Sequence, residues 1–324
     1  MNRYVRLYNV CKHCRHRITP SMPPPTFLLL PGLYEASAIL QLPDGRFLVA
    51  EDEKSHPLSL LRLADNEVRV VPMRPGLFDF DGAFWKLDDL EGLALDAHGR
   101  VLAITSHSRN SDGEAKKSRE KLVRFRVEDD TAEARQLATG LKDALVMAHP
   151  WLATAAAEKD VKGHGGLNIE AIEFDPHDDT LWLGLRSPLR EGKALLARLV
   201  NVDAVFDEAA KPAFASELVA LDLGGEGLRG MAWVPALSAF LLIAGPVARE
   251  ARDFNLWRWS GRPGASAQRV GLPGLTGFRH AEGICPARLD GRDCLLIVSD
   301  DGHRETDEPA HYLVVEASAL HDIG

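Results

Sequence analysis

Four glutamates recur at the start of short apolar segments, at intervals that indicate a repeated unit. They are Glu35, Glu91, Glu170 and Glu282, and Arg229 stands at the corresponding place of one further segment. If the repeats surround a common axis, these five side chains meet. Two carboxylates about 5 Å apart at an effective dielectric of about 20 repel by roughly 3 kcal/mol. Such a ring therefore needs a bound cation, arginine partners or carboxyl groups with a raised pKa.

Calcium suits this ring, because it accepts about six to eight oxygen ligands in flexible geometry, whereas magnesium demands a more regular shell. Asn168 would add an amide oxygen. In the alternative interpretation, each glutamate hydrogen-bonds the backbone of the next repeat and only holds the ring together. The residues predicted as metal ligands are Glu35, Glu91, Asn168, Glu170, Glu282, Asp300 and Asp301.

The second apolar segment of each repeat ends in residues that differ between repeats, and variation on a repeated frame often marks function. His107 follows one such segment and is a candidate general base or ligand. Arg186 follows another and is suited to clamp a carboxylate or phosphate. Asp300 and Asp301 would add oxygen ligands. His107, Arg186 and Arg229 are the candidate catalytic residues.

Two common catalytic motifs are missing from the sequence. There is no Gly-x-Ser-x-Gly elbow, and Ser106 and His107 are neighbours rather than members of a demonstrated triad. No glycine-rich phosphate loop opens a helix. The sequence therefore disfavours serine-hydrolase and nucleotide chemistry.

The composition is that of a globular protein, with 45% hydrophobic and 26% charged residues. A net charge of −9 argues against a nucleic-acid partner, since phosphate binding needs a basic face. No apolar run approaches the roughly 18 residues of a membrane span. The first 21 residues lack the apolar region of a secretory signal, so we expect a cytoplasmic protein.

The N-terminal segment 1–25 has two interpretations. Cys11 and Cys14 have the spacing of half a zinc site, but no second pair follows at finger spacing. The other interpretation is that Met22 is the true start and that the preceding residues are a disordered or wrongly assigned extension. We expect residues 26–324 to form one domain.

The repeat predicts an all-β architecture. Each unit has an apolar strand, a turn with hairpin chemistry such as residues 43–45 or 96–99, and a second apolar strand. A third alternating strand follows in every unit, and a fourth in all but the last. Residues 26–30 would supply the missing strand by pairing with the last unit. The sequence therefore predicts a β-propeller of five four-stranded blades closed by an N-terminal strand, with six blades as the alternative.

The interval between Glu91 and Glu170 is about 20 residues longer than the others, and the excess lies in residues 142–166. Apolar residues there have approximately helical spacing, interrupted by Pro150. We expect a short helix and loop on the face that carries the strand openings, where the segment would serve as a lid.

Three segments carry a resemblance to a known family: residues 166–170, 184–188 and 106–109. Over residues 26–318 the chain resembles a bacterial family called domain of unknown function 3616, although Ala171 follows Glu170 where glycine is expected. The resemblance implies a propeller-like fold and no established activity. The strand-opening Glu-Gly is also distantly similar to the six-bladed calcium-dependent lactonase propellers, an analogy of fold.

Two functions remain open. The first is a hydrolase of a small ester, lactone or phosphate ester, with a cation held by the glutamates as Lewis acid and His107 or a carboxylate as base. The second is a propeller without catalytic activity that binds a ligand or another protein, in which the glutamates are structural. We expect a small-molecule ligand, and the sequence indicates no particular protein partner.

Overall fold

The computed structural model describes residues 25–52, 57–64, 67–74, 82–248, 254–262 and 264–323. The described strands form five antiparallel sheets, each running outward from an innermost strand. The innermost strands of successive sheets contact one another, and those of the first and last sheets meet. The five-bladed propeller predicted from the repeat is confirmed. The predicted Cys11–Cys14 half-site and the Met22 start lie outside the described residues.

The strands follow the repeat closely. The chain enters through β1 (Leu28–Leu30). Blade 1 contains β2 (Ala36–Gln41), β3 (Phe47–Glu51), β4 (Leu58–Ala64) and β5 (Glu67–Pro72). Blade 2 contains β6 (Leu90–Leu95), β7 (Val101–Thr105), β8 (Leu122–Glu128) and β9 (Thr131–Ala138). Blade 3 contains β10 (Asn168–Phe174), β11 (Leu181–Arg190), β12 (Lys193–Leu199) and β13 (Val219–Leu221).

The last two blades complete the ring. Blade 4 contains β14 (Gly227–Val234), β15 (Ala239–Gly245), β16 (Asn255–Trp259) and β17 (Gln268–Gly271). Blade 5 contains β18 (Ala281–Leu289), β19 (Arg292–Ser299) and β20 (Ala310–Val315). As predicted, β1 is its fourth strand, with Leu28 opposite Tyr312. An unpredicted strand, β21 (His321–Asp322), pairs with β17, so blade 4 has five strands instead of four.

The helices are short. They are α1 (Gly82–Trp85), α2 (Leu141–Ala148), α3 (Ala153–Ala157), α4 (Val161–His164) and α5 (Val202–Asp207). The predicted insertion near 142–166 is confirmed but contains three helices, with a 3₁₀ turn at Pro150–Leu152 where the proline interrupts the pattern. Within the described ranges, no helix is long and apolar enough to cross a membrane.

Five apolar clusters hold the ring together, one at each interface between neighbouring blades. Between blades 2 and 3, for example, Leu102 and Ile104 pack with Ile172 and Leu183. Burying one such side chain contributes about 1.5–3 kcal/mol. Because every blade shares a core with both neighbours, the channel side chains are held by the whole ring.

A β-bulge interrupts the innermost strand of every blade. The residue left unpaired in a bulge can direct its side chain away from the regular face, here toward the channel. The unpaired residues are Ser37, Glu91, Glu170, Arg229 and Glu282. Each precedes a small residue, alanine or glycine, and at Gly92 an added Cβ would meet Ile104 and Ile172 of the adjoining strands.

Glu173 links blades 3 and 4 and gives a first testable prediction. Its carboxyl group accepts hydrogen bonds from the backbone N–H of Trp233 (3.1 Å) and of Phe174 (2.8 Å). Burial nevertheless raises its pKa to about 7. A carboxyl pKa that is higher in the folded than in the unfolded chain makes stability fall as pH rises from about 4.5 to about 7, by at most about 3 kcal/mol.

Glu173→Gln should remove that loss, because glutamine cannot ionise and keeps a carbonyl acceptor. Urea denaturation of the wild type and the variant at pH 5 and pH 8 measures the effect. Equal pH dependence in the two proteins would show that Glu173 does not carry it.

Candidate functional site

Four of the five bulge side chains bring charge to one cavity of about 410 Å³ at the end of the channel. Residues in or next to other strands, and one residue of the insertion, complete its wall. The polar lining consists of Ser37, Asp52, Glu91, Lys162, Glu170, Arg186, Arg229, His280, Glu282 and Asp300, and Phe254 adds an aromatic ring. The predicted convergence of Glu91, Glu170, Arg229 and Glu282 is therefore present.

The structure corrects the predicted equivalence of Glu35 with the other glutamates. The bulge of blade 1 lies at Ser37, between Ala36 opposite Glu51 and Ala38 opposite Ala50. Glu35 precedes β2 and does not line the cavity. The alignment of the first repeat with the others was wrong by two residues, because Ser37 lacks the charge that marks the other blades.

Arg229 bridges the glutamates of blades 3 and 5, and Arg186 pairs with the glutamate of blade 3. Arg229 Nη1 lies 2.9 Å from Glu282 Oε1 and 3.2 Å from Glu170 Oε2. Arg186 Nη1 donates to Glu170 Oε1 at 3.0 Å, and Asn168 Nδ2 donates to the same oxygen at 2.6 Å. The arginines also donate to backbone carbonyl groups that follow β15 of blade 4. The carboxyl groups of Glu170 and Glu282 are thereby held in place by hydrogen bonds.

Glu91 and Glu170 face the same cavity with opposite electrostatic preferences. Burial, followed by the charges of Glu170 and Asp89, raises the pKa of Glu91 well above its usual range. Burial opposes ionisation of Glu170 as well, but Arg229 and Arg186 outweigh it, so the pKa of Glu170 is lowered. Of the two, Glu91 is therefore the more readily protonated and Glu170 the more readily ionised.

The remaining acids of the cavity also resist ionisation. Burial and the charge of Asp300 raise the pKa of Glu282, although Arg229 opposes them, and burial raises the pKa of Asp300 itself. Crowding by protein atoms, and then the charge of Asp89, raise the pKa of Asp52 to about 8. Because Asp52 lies at the rim with an exposed side chain, water moderates this effect more than it does at Glu91.

The structure does not bring His107 to the cavity. Its side chain is buried, its Nδ1 lies 2.8 Å from the carbonyl oxygen of Thr105, and its Nε2 has no hydrogen-bond partner. Burial lowers the pKa of His107 to about 4, although the hydrogen bond to Thr105 and the charge of Glu120 oppose the shift. The predicted role of His107 as the base at the channel mouth has no geometric basis.

Asp301 also lies apart from the cavity, whereas Asp300 lines it. The Asp301 carboxylate accepts hydrogen bonds from Ser299 (2.7 Å) and Arg279 (2.7 Å) and lies 3.0 Å from His311 Nδ1. Sequence reasoning missed Ser37, Asp52, Lys162, Phe254 and His280 as lining residues. Only Asp52 carried a signal, because it stands at the end of a second strand.

The lining fits a metal ion only in part. Asn168 Oδ1 and Glu170 Oε2 are buried without a hydrogen-bond partner, and Glu170 Oε2 meets Arg229 without hydrogen-bond alignment. Against a metal, guanidinium groups already occupy Glu170 and Glu282. Among the residues that the structure describes, no three or more His, Cys, Asp or Glu side chains are grouped to hold an ion.

Fold and site together define a five-bladed β-propeller with a carboxylate and arginine cavity at one channel mouth. The chain belongs to the family described as Protein of unknown function (DUF3616), whose sequence model matches residues 86–316. This confirms the resemblance over most of the predicted extent. No curated protein sequence matches the chain.

Several solved structures are similar in fold. One described as a glucose dehydrogenase is 16% identical, with 93% of this chain and 99% of that chain covered and a TM-score of 0.46. A gluconolactonase from Xanthomonas campestris is 12% identical, with coverage of 91% and 95% and a TM-score of 0.43. A PQQ-bound aldose sugar dehydrogenase from Streptomyces coelicolor is 13% identical, with coverage of 90% and 99% and a TM-score of 0.41. Similarity at this level says nothing about the site.

Proposed function

We propose that the chain is a hydrolase of a small ester, lactone or phosphate ester, and that the reaction takes place in the channel cavity. One observation supports the proposal: Glu91 and Glu170 line the same cavity, and their surroundings raise the pKa of Glu91 but lower the pKa of Glu170. Carboxyl groups whose environments push their pKa values apart divide the acid and base roles of a reaction.

The roles follow from position and charge. Water attacks the acyl carbon or phosphorus, and its proton passes to Asp52, whose pKa of about 8 lies near the working pH. Glu91 gives its proton to the leaving oxygen. Arg186 and Arg229 supply positive charge near the oxygen on which negative charge develops. Glu170 orients both arginines, so it is a positioning residue.

Calcium in the cavity is the second candidate, favoured by the unpartnered oxygens of Asn168 and Glu170. An ion there would act as a Lewis acid, with Glu91 and Asp300 as further oxygen donors from the lining. The two candidates differ in one respect: activity carried by the arginines survives EDTA, whereas calcium-dependent activity is lost and returns with added calcium.

The test is Glu91→Gln assayed with p-nitrophenyl acetate, γ-butyrolactone and p-nitrophenyl phosphate, with and without EDTA. Loss of a general acid should lower kcat by about 10²–10⁴-fold on a substrate that the wild type hydrolyses. The wild-type rate should also fall as pH rises through the raised pKa of Glu91. Glutamine resembles the protonated glutamate, so the variant should fold normally.

Glu173→Gln is the matched control, since it removes another partly buried glutamate of raised pKa outside this cavity. It should leave the rate unchanged. No turnover of any of the three substrate classes by the wild type would contradict the hydrolase and favour a binding propeller.

A further inference from the structure

The acids of the cavity outnumber its cations. Five carboxyl groups line it, belonging to Asp52, Glu91, Glu170, Glu282 and Asp300. The two guanidinium groups are already engaged with Glu170 and Glu282. In the described part of the chain, the carboxyl groups of Asp52, Glu91 and Asp300 form no hydrogen bond or ion pair. Within the described residues, three acids thus face the cavity without a hydrogen-bond or ion-pair partner.

Glu91 is the strongest sign that a ligand belongs there. Its side chain is only 8% exposed, faces the cavity and has no partner among the described residues. Its carboxyl oxygens reach the cavity, and a carboxyl group so largely withdrawn from water is costly to ionise without a partner. A ligand that donates hydrogen bonds and carries positive charge would satisfy it.

The insertion already brings such a group to the cavity. Lys162 of α4 lines the cavity, and within the described residues its ammonium forms no ion pair. Its positive charge favours ionisation of Glu170 and Asp300. One lysine cannot balance the charge of three acids. The cavity of about 410 Å³ also has room for a second monovalent cation.

An ammonium group fits these acceptors better than a metal ion does. A calcium ion needs about six to eight oxygens, several of which the guanidinium groups would have to release. An ammonium has three N–H donors and needs only the unpaired oxygens of Glu91 and Asp300 and the hydroxyl group of Ser37. The existing arginine bridges can stay in place.

We propose that the channel cavity binds a small substrate that carries a protonated amine, with the ammonium held by Glu91 and Asp300. This rests on the proposed function in that it names the substrate class of the same cavity. Recognition can be measured apart from turnover, since binding needs no reaction.

The experiment compares two amides of nearly equal shape, glycinamide and propanamide, titrated into the full chain and followed by NMR or calorimetry. At pH 6.5 glycinamide is a cation, because an α-amino group has a pKa of about 8. It should bind at least about tenfold more tightly than neutral propanamide, a preference of about 1.4 kcal/mol. High salt should reduce this preference.

Two variants should move the affinity for glycinamide in opposite directions. Asp300→Asn removes an acceptor and should weaken binding about fivefold or more, whereas Lys162→Met removes a competing cation from an exposed position and should strengthen it. Asp179→Asn, which removes one charge from an exposed residue outside this cavity, should change nothing. Melting curves check that each variant is folded.

Equal binding of the two amides, or binding of neither, would overturn the proposal. Calcium binding that excludes glycinamide would also overturn it and support the metal site. Turnover distinguishes this proposal from the hydrolase: glycinamide binding without hydrolysis of glycine ethyl ester contradicts only the enzyme. Hydrolysis of glycine ethyl ester and ethyl propanoate without preference for the amine contradicts only the substrate class.

Discussion

Arg229→Met should destabilise the protein by about 3–5 kcal/mol, which corresponds to a fall in Tm of roughly 6–15 °C. Arg229 lies between two buried carboxylates, 2.9 Å from Glu282 and 3.2 Å from Glu170, and donates to the carbonyl oxygen of Pro246 at 2.7 Å. Methionine fills a similar volume but leaves Glu282 without its partner. The penalty comes from the uncompensated charge, and thermal denaturation at pH 7.5 measures it.

The pH dependence identifies the cause. The pKa of Glu282 is already raised in the folded chain, and removing Arg229 raises it further. A raised carboxyl pKa means that stability is present at low pH and lost as pH rises, so the variant should approach the wild type near pH 5. The double variant Arg229→Met/Glu282→Gln should recover part of the loss at pH 7.5.

Arg258→Met is the matched control. Arg258 lies 2.8 Å from Asp322, but both side chains are substantially exposed, and such surface pairs contribute at most about 1 kcal/mol. Similar losses in the two variants, or a loss at Arg229 that does not depend on pH, would contradict the role of buried charge.

The blades are predictable because their determinants are local. Alternating apolar strands and turns such as residues 43–45 recur along the chain. Only a closed ring gives every innermost strand a neighbour on both sides. The strand β21 escaped prediction because it has only two residues, which carry no periodic signal. Its pairing with β17 depends on the path of the chain after blade 5.

The cavity is predictable only where charge marks the bulge. The charged bulge residues are visible in the sequence: Glu91, Glu170, Arg229 and Glu282. Ser37 is not, and the nearby Glu35 was matched with the other glutamates in its place. Only the strand register distinguishes Ser37 from Glu35, because one extra residue in a strand changes which side chain faces the channel.

Other site features depend on contacts between distant parts of the chain. Arg229 joins blades 3, 4 and 5 through Glu170 and Glu282, so the pairing of these carboxyl groups with an arginine is not local. Lys162 reaches the cavity from an insertion whose position over the mouth no spacing rule specifies. His107 stands at a similar place in its repeat to Arg186, yet its ring is buried beside the carbonyl group of Thr105 and does not line the cavity.

Gly230→Ala should destabilise the protein by about 3 kcal/mol or more and disrupt the cavity together with the fold. Gly230 follows the bulge residue Arg229, and a Cβ there would overlap the carbonyl oxygen of Glu282 in blade 5. The backbone fixes the positions of both the Cβ atom and the carbonyl oxygen, so no change of rotamer relieves the overlap. Blades 4 and 5 would have to separate, which would lengthen the contact between Arg229 and Glu282.

Gly82→Ala is the matched control, because a Cβ at Gly82 meets no atom within 4 Å and the residue begins α1. Alanine there should leave stability unchanged or slightly higher, since it restricts the unfolded chain. Urea denaturation compares the two variants, and glycinamide titration reports on the cavity of the folded fraction. If Gly230→Ala were as stable as Gly82→Ala, blades 4 and 5 could move apart at little cost. The close approach of the strands would then not explain why a small residue follows each channel side chain.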